Sequence, residues 1–315
     1  MSQEETRHVV ALSGGKDSSA LALYLRDPEH WQRALGKIDA EPREPVEGIE
    51  YVFCDTGTEL EETYDYLDQL EAQLGQPIER LRANVPPGEN GEQKTPFDHY
   101  LELYNGFLPS ANMRWCTRNL KIKPFERYIG DDPVINYVGI RADEDREGYI
   151  STKSTIETQF PFKEDGLDKR DVYRILDESG VGRPDYYDWR SRSGCYFCFF
   201  QRKSEWVGLK ENHPELYEKA KEYEKTGEDG ERFTWDSRES LDELEDPERI
   251  AEIKERDEKR RERLAEQRSD QTDAHGAVFR GRGARHGGRR ERLQHLPSVN
   301  GPAGTPRARQ RRMSM

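Results

Sequence analysis

Seven residues, SGGKDSS from Ser13 to Ser19, carry what an anion cradle needs. Gly14 and Gly15 let the backbone turn tightly and bring several N–H groups onto one anion. Lys16 adds a full positive charge, the Ser13 and Ser18 hydroxyls can donate, and Asp17 can hold Mg2+ or orient the chain. The spacing is not that of a Walker A loop, which needs four residues between Gly and Gly-Lys, nor that of the dinucleotide fingerprint. The second chemical set is the four cysteines, Cys54, Cys116, Cys195 and Cys198. Cys195 and Cys198 bracket CYFC on a glycine-led turn, the spacing at which two thiolates reach one metal. Cys116 stands 79 residues upstream, in RWCTRNLKIKP.

The elements that must position these residues read as an alternation. HVVAL, His8–Leu12, is a β-branched run suited to a buried strand. SSALALYLR, Ser18–Arg26, has helical composition and opens on a serine suited to capping. The run GIEYVFCDTG reads as a second strand ending at Asp55-Thr56-Gly57. An acidic amphipathic helix, Glu59–Leu74, follows, then PIERLRANV as a third strand, a Pro/Gly-rich loop over Pro86–Pro96, and a further strand at Val134–Ile140. Strand–helix–strand alternation predicts an α/β fold, a doubly wound parallel sheet with helices on both faces. Ligands of such sheets sit beyond the carboxyl ends of the strands. The loops after Leu12, Cys54 and Ile140 lie at such ends.

This α/β domain is expected over residues 5–165. A helical extension bearing the Cys-x-x-Cys follows over 166–268, where Asp246–Gln267 opens on Asp-Pro and reads as a solvated, charge-alternating helix. Residues 269–315 are Arg/Gly/Pro-rich with almost no apolar positions and are expected to be disordered. They hold ten Arg, no Lys and three acids, a net +7, so the preceding 268 residues carry −20 of the overall −13. So acidic a body repels nucleic acid at long range unless a local basic groove overrides it. Two segments are locally basic: Arg114, Arg118, Lys121, Lys123 and Arg127 around Cys116, and Arg183, Arg190, Arg192, Arg202 and Lys203 flanking the Cys-x-x-Cys. They suit triphosphate or sulfate-like groups, a nucleic-acid backbone, or ordinary pairing with surface acids. No apolar run approaches the ~18 residues of a membrane span, so no membrane partner is expected. The first residues lack a signal-peptide pattern, making the cytoplasm the expected compartment and structural disulfides unexpected.

SGGKDSS resembles the pyrophosphate loop of the ATP-pyrophosphatases, the adenine nucleotide alpha-hydrolase-like superfamily. More narrowly, Val9 to about Trp206 resembles the phosphoadenosine-phosphosulfate reductase family. The matching stations are SGGKDS, FCDTGTELEET, RWCTRNLKIKP, VGIRADED and SGCYFC, in that order. The resemblance implies an adenine nucleotide, ATP with Mg2+, held by Ser13, Gly14, Gly15, Lys16, Asp17 and Ser18. Asp55, Thr56 and Gly57 would close over the adenosine. Arg141 and Lys121 would face phosphate or sulfate, and Lys16, Asp17 and Arg141 would take part in catalysis. The chain departs from the true reductases in keeping Lys16 and in lacking a Cys-bearing C-terminal tail, which favours an intact triphosphate.

Adenylylsulfate reductases resemble this chain in holding a [4Fe–4S] cluster with a Cys-Cys pair and a later Cys-x-x-Cys, but Thr117 stands here where the pair's second cysteine would be. Three readings stay open: an iron–sulfur cluster on Cys116, Cys195 and Cys198 with one iron free; a cluster or zinc site completed by Cys54 or another residue; or a buried or redox-active Cys-x-x-Cys. Trp115, Tyr196, Phe197, Phe199 and Phe200 either shield such a cluster or pack as core. Enzymes that thiolate RNA bases or place sulfur in the DNA backbone look similar, which implies ATP-dependent sulfur transfer, with nucleic acid as a substrate or DNA-modification proteins as partners. The alternatives are a sulfonucleotide reductase and a non-catalytic nucleotide-binding subunit of a DNA-modification or defence complex. A homo-oligomer is compatible with all three.

Overall fold

The computed structural model describes residues 6–37, 42–87, 94–148, 151, 153–226 and 232–282, with side chains as far as 265. Five strands, β1 (Arg7–Leu12), β2 (Ile49–Asp55), β3 (Ile78–Arg82), β4 (Val134–Tyr137) and β5 (Ile156–Gln159), form one parallel sheet in the order β3-β2-β1-β4-β5. The order reverses at β1, so the crevice between the ends of β1 and β4 is the topological switch point where open α/β sheets bind ligands. The loop after Leu12 opens into that crevice.

Val9, Val10 and Leu12 of β1 are all buried because the strand is covered on both faces. Val10 and Leu12 pack with Tyr51, Phe53 and Tyr137 against α1 (Lys16–Arg26), α2 (Pro28–Leu35) and α3 (Glu61–Leu74). Val9 points the other way, to Val52, Val134 and Ile129. The chain reaches that second face through α4 (Pro96–Leu103), a single turn α5 (Trp115–Thr117), a π-helical turn over Arg118–Ile122, and α6 (Lys123–Ile129). After β5 come α7 (Pro161–Glu164) and α8 (Lys169–Glu178), and α8 returns to pack on α1.

Of the element ends that differ from the sequence expectation, three do so for a visible reason. Helix α1 begins at Lys16 rather than Ser18, because the Ser18 hydroxyl turns back to accept from the Ser13 N–H at 3.0 Å. Helix α3 begins at Glu61 rather than Glu59, because the Glu59 carboxylate accepts from the N–H groups of Thr56 and Thr58. Strand β4 stops at Tyr137, where a tight turn bonds the Ile140 N–H to the Val138 carbonyl at 2.9 Å.

A third cluster joins the extension to α4 and α5. A 3-10 turn over Asp185–Asp188 leads to α9 (Lys203–Asn212), α10 (Pro214–Glu222), the short hairpin β6 (Lys225–Thr226) and β7 (Arg232–Phe233), α11 (Leu241–Leu244) and α12 (Pro247–Arg282). Its core is aromatic: Phe97, Trp115, Phe197 and Trp235 pack together, with Phe97 and Phe197 ring centroids 4.3 Å apart. Met1–Glu258 is one compact unit, so the nucleotide-binding domain expected over 5–165 and most of the extension expected to follow it share one body. Lys259–Met315 is a second unit. Helix α12 runs past Ser269 into the segment expected to be disordered, and residues 283–315 lie outside the described residues. Among the described residues, no helix is long and apolar enough to cross a membrane.

Candidate functional site

The loop after β1 is held from three sides. Gly14 has φ +67°, and a Cβ there would stand 2.4 Å from Thr63 Cγ2 of α3. A Cβ on Gly15 would meet Ser193 Oγ at 2.5 Å and the Tyr187 hydroxyl at 2.9 Å. On the β4 side, a Cβ on Gly139 would lie 2.8 Å from the Asp17 carbonyl oxygen. Only glycine fits in these places, so the backbone approaches its surroundings closely. Side chains of the extension complete the grip. The Tyr186 hydroxyl donates to the Gly14 carbonyl at 2.7 Å, Tyr187 accepts from the Lys16 N–H at 3.1 Å, and Ser193 bonds Ser13 hydroxyl to hydroxyl at 3.1 Å. Ser13 and Ser18 hydroxyls also lie 3.1 Å apart.

A row of charges starts at this loop. Lys16 is buried, its ammonium 2.9 Å from Asp17 and above the Tyr187 ring. The other oxygen of Asp17 takes Arg141 at 2.6 Å. Arg141 also meets Asp143 and Glu144, and, against the opposing effect of burial, these carboxylates push its guanidinium above its ordinary value. Asp17 thus joins two cations beside an N-terminal helix end that itself favours anions.

The loop after β2 is built around two buried carboxylates. Asp55 accepts from the Gly57 N–H and the Tyr64 hydroxyl, both at 2.8 Å, and from Arg82 Nε at 2.7 Å. It is therefore committed to holding its own loop. Glu59 accepts from the Thr56 hydroxyl at 2.7 Å, and that same hydroxyl lies 3.3 Å from Cys195 Sγ. The Tyr196 N–H donates to the Thr58 carbonyl at 2.8 Å, so the Cys-x-x-Cys turn docks on the end of β2. Arg190, almost fully buried, ties that turn from beneath by donating to the Gly194 and Cys195 carbonyls at 3.0 and 2.6 Å.

Lys121 is the charge common to all four thiols. Burial pulls its ammonium down, but Cys195, Glu59, Cys198 and Cys54 push it up on balance, and Cys116 feels it too. Burial pushes Cys54 and Cys195 each up to about 11, and raises Cys116 with Cys198 adding to the effect. These thiols keep their protons at neutral pH unless a metal draws them off. All four are free thiols, and among the described residues no three His, Cys, Asp or Glu side chains are gathered so as to hold a metal ion. By their chemistry Cys116, Cys195 and Cys198 are soft donors of the kind that iron–sulfur clusters and zinc both take.

Between the loop and Cys54 lies a cavity of about 190 Å³, open to solvent, lined by Leu12, Ser13, Cys54, Lys121, Phe125 and Asn136 among others. Its walls are largely apolar, yet Asn136 Oδ1 and Thr158 Oγ1 on them are buried without a hydrogen-bond partner. Such atoms await a ligand or water.

The structure brings Ser13, Gly14, Gly15, Lys16, Asp17, Ser18 and Arg141 together as one charged loop, and Asp55, Thr56 and Gly57 as a second beside Cys195. It places Lys121 with the cysteines and the cavity rather than with Lys16. Trp115, Tyr196 and Phe197 are core, whereas Phe200 is exposed. Sequence reasoning missed Glu59, Tyr186, Tyr187 and Ser193. The adjacent tyrosines in RPDYYDW were the available signal, since a Pro-led aromatic pair has to bury itself somewhere.

The phosphoadenosine phosphosulfate reductase domain model matches residues 7–176. An uncharacterized protein of Methanocaldococcus jannaschii is 30% identical over 224 residues, covering 67% of this chain and 40% of that protein. An uncharacterized 37.8 kDa protein of Escherichia phage 186 is 26% identical over 282 residues, covering 70% of this chain and 75% of that one. The chain therefore spans less than half the length of the archaeal relative. A crystal structure of phosphoadenylyl-sulfate reductase from Candida auris, in its phosphate complex, aligns at 13% identity with a TM-score of 0.43, covering 61% of this chain and 82% of that one.

Proposed function

The chain belongs to the phosphoadenosine phosphosulfate reductase family, and on that premise we propose that it is an enzyme that binds ATP in the cleft beyond β1 and β4 and uses it in sulfur transfer. The observation that carries this reading is Lys16, a buried ammonium at the helix end of a glycine loop, tied through Asp17 to Arg141. Two cations and a helix N-terminus suit the β and γ phosphates of an intact triphosphate. Asp17, between them, is the group that would take Mg2+. The cavity beyond Ser13 has the apolar walls and orphan acceptors that a purine ring and ribose would satisfy.

The chemistry divides into two displacements. An acceptor oxygen attacks the α phosphorus, the bond to the bridging oxygen breaks, and pyrophosphate leaves with its charge held by Lys16 and Arg141. Hydrosulfide then attacks the activated atom of the acceptor, a bond to sulfur forms, and AMP departs with the original oxygen. Cys116, Cys195 and Cys198 are the residues that would hold an iron–sulfur cluster, which when bound would supply a soft site for sulfur. Arg190 and the Tyr196–Thr58 bond keep the Cys195–Cys198 turn against the end of β2.

The family match also favours a second reading, reduction of a sulfonucleotide in the same cleft. Product analysis separates the two. ATP-dependent release of pyrophosphate supports the first, whereas sulfite release from phosphoadenosine phosphosulfate without ATP turnover supports the second and sinks the first. Anaerobic purification with iron and sulfide analysis tests the cluster, and a colourless zinc protein would overturn it.

A further inference from the structure

The charges of this acidic chain are distributed in a way that ATP binding does not use. No Asp or Glu occurs in residues 103–125 or 189–204, in a chain that holds 63 acids among 315 residues. Those two windows contain Cys116 and the Cys195–Cys198 turn. Several arginines elsewhere are matched to carboxylates: Arg7, Arg43 and Arg249 each meet two, and Arg141 meets three. Arg114, Arg118, Arg192 and Arg202 are all exposed, and among the described residues none of their guanidinium groups has a carboxylate partner.

Two of the four converge on one aromatic ring. Arg114 lies 5.3 Å and Arg192 5.8 Å from the centroid of Phe200. Phe200 is 39% exposed, and Met113, beside Arg114 in sequence, is 45% exposed. The Phe199 ring, 4.3 Å from that of Phe200, packs into the extension's core and anchors the pair. Arg118 follows Arg114 by one helical turn, its N–H bonded to the Arg114 carbonyl at 3.3 Å. Arg202 is two residues beyond Phe200, and Cys198 two residues before it.

An exposed aromatic between unpaired guanidinium groups answers one ligand chemistry well: a flat base on the ring with phosphodiester charge on the arginines. A duplex offers no free base face, and an acidic peptide would leave Phe200 unused. We propose that the Arg114–Phe200–Arg192 face binds single-stranded nucleic acid and sets it beside the cysteines. This names the acceptor class for the proposed sulfur transfer and rests on that reading, though the strand contact itself can be tested without turnover.

The test uses the full chain and fluorescence anisotropy with a labelled oligothymidylate, its oligouridylate counterpart, the matched duplex and a polyglutamate of equal charge. The ten arginines after residue 269 are the same in every variant, so differences between variants read the face alone. Phe200→Ala should weaken single-strand binding roughly tenfold or more, and Arg114→Gln and Arg192→Gln should each lower the salt slope by about 1. The oligothymidylate and oligouridylate arms show whether the strand is DNA or RNA. Phe200→Ala should leave ATP binding unchanged, whereas Lys16→Ala should lose ATP binding and keep strand binding, so the two proposals fail separately. Equal affinity of wild type and Phe200→Ala, polyglutamate binding as tight as the oligonucleotides, or photocrosslinks confined to residues 269–315 would each overturn the proposal.

Discussion

Replacing Gly14 with alanine tests whether the loop geometry is the origin of the site. Two separate costs arise. At φ +67° an alanine sits in the left-handed region, at about 1–2 kcal/mol. Its Cβ would also stand 2.4 Å from Thr63 Cγ2, and forcing a methyl into a packed core costs about 1–3 kcal/mol. The sum is about 2–5 kcal/mol. The second cost can be removed on its own. Thr63 is buried with its hydroxyl oxygen unpartnered, so Thr63→Ser deletes the clashing methyl and leaves the polar atom as it was, at about 1 kcal/mol. In the double variant the clash disappears and the backbone cost stays, so the two substitutions should couple favourably by about 1–3 kcal/mol. Urea unfolding of the four proteins, followed by tryptophan fluorescence, measures this. Additivity within about 0.5 kcal/mol would refute the claim that α3 presses on the loop at this atom.

Three further outcomes follow from the same geometry. Burial holds Cys54 and Cys195 at about 11, so in the metal-free protein their iodoacetamide alkylation should still climb about tenfold per pH unit between pH 9 and 10; a rate that levels off below pH 9 would contradict this, since only the thiolate reacts and its fraction stops rising above the pKa. Arg190→Ala removes two bonds to the Cys-x-x-Cys turn and should cost about 3 kcal/mol in urea unfolding, with proteolysis appearing first near Gly194. Arg82→Ala strips Asp55 of its cation but leaves it the Tyr64 and Gly57 donors; because the Arg82 side chain is 64% exposed, the expected loss is only about 1 kcal/mol, and a loss above about 3 kcal/mol would mean the pair is screened far less than its exposure implies.

The parts legible in the sequence were those that local chemistry determines. A β-branched run before Gly-Gly had to be a covered strand, and its neighbours of the same kind had to lie parallel to it. Lys16 and the Cys-x-x-Cys stood out because a lysine in a glycine loop between strand and helix suits an anion and paired thiols suit a metal. What stayed hidden depended on long-range contact. Glu59 looked like the first residue of an acidic helix, and only the fold shows it turned back onto Thr56 and Thr58. Tyr186 and Tyr187 reach the loop from more than 170 residues away, a separation no local pattern encodes. Lys121 was expected to face phosphate or sulfate, and only the fold shows that the π-helical turn over Arg118–Ile122 sets it near the thiols and on the wall of the cavity that Ser13 also lines.

Calorimetric titration of ATP with Mg2+ into the wild-type chain and into Lys16→Ala tests the central claim most directly. The expected result is one ATP per wild-type chain, with affinity falling at least about tenfold in Lys16→Ala, as loss of a hydrogen bond from a charged group implies. Equal affinity in the two proteins, or no binding to wild type, would contradict the assignment of this loop as a triphosphate site.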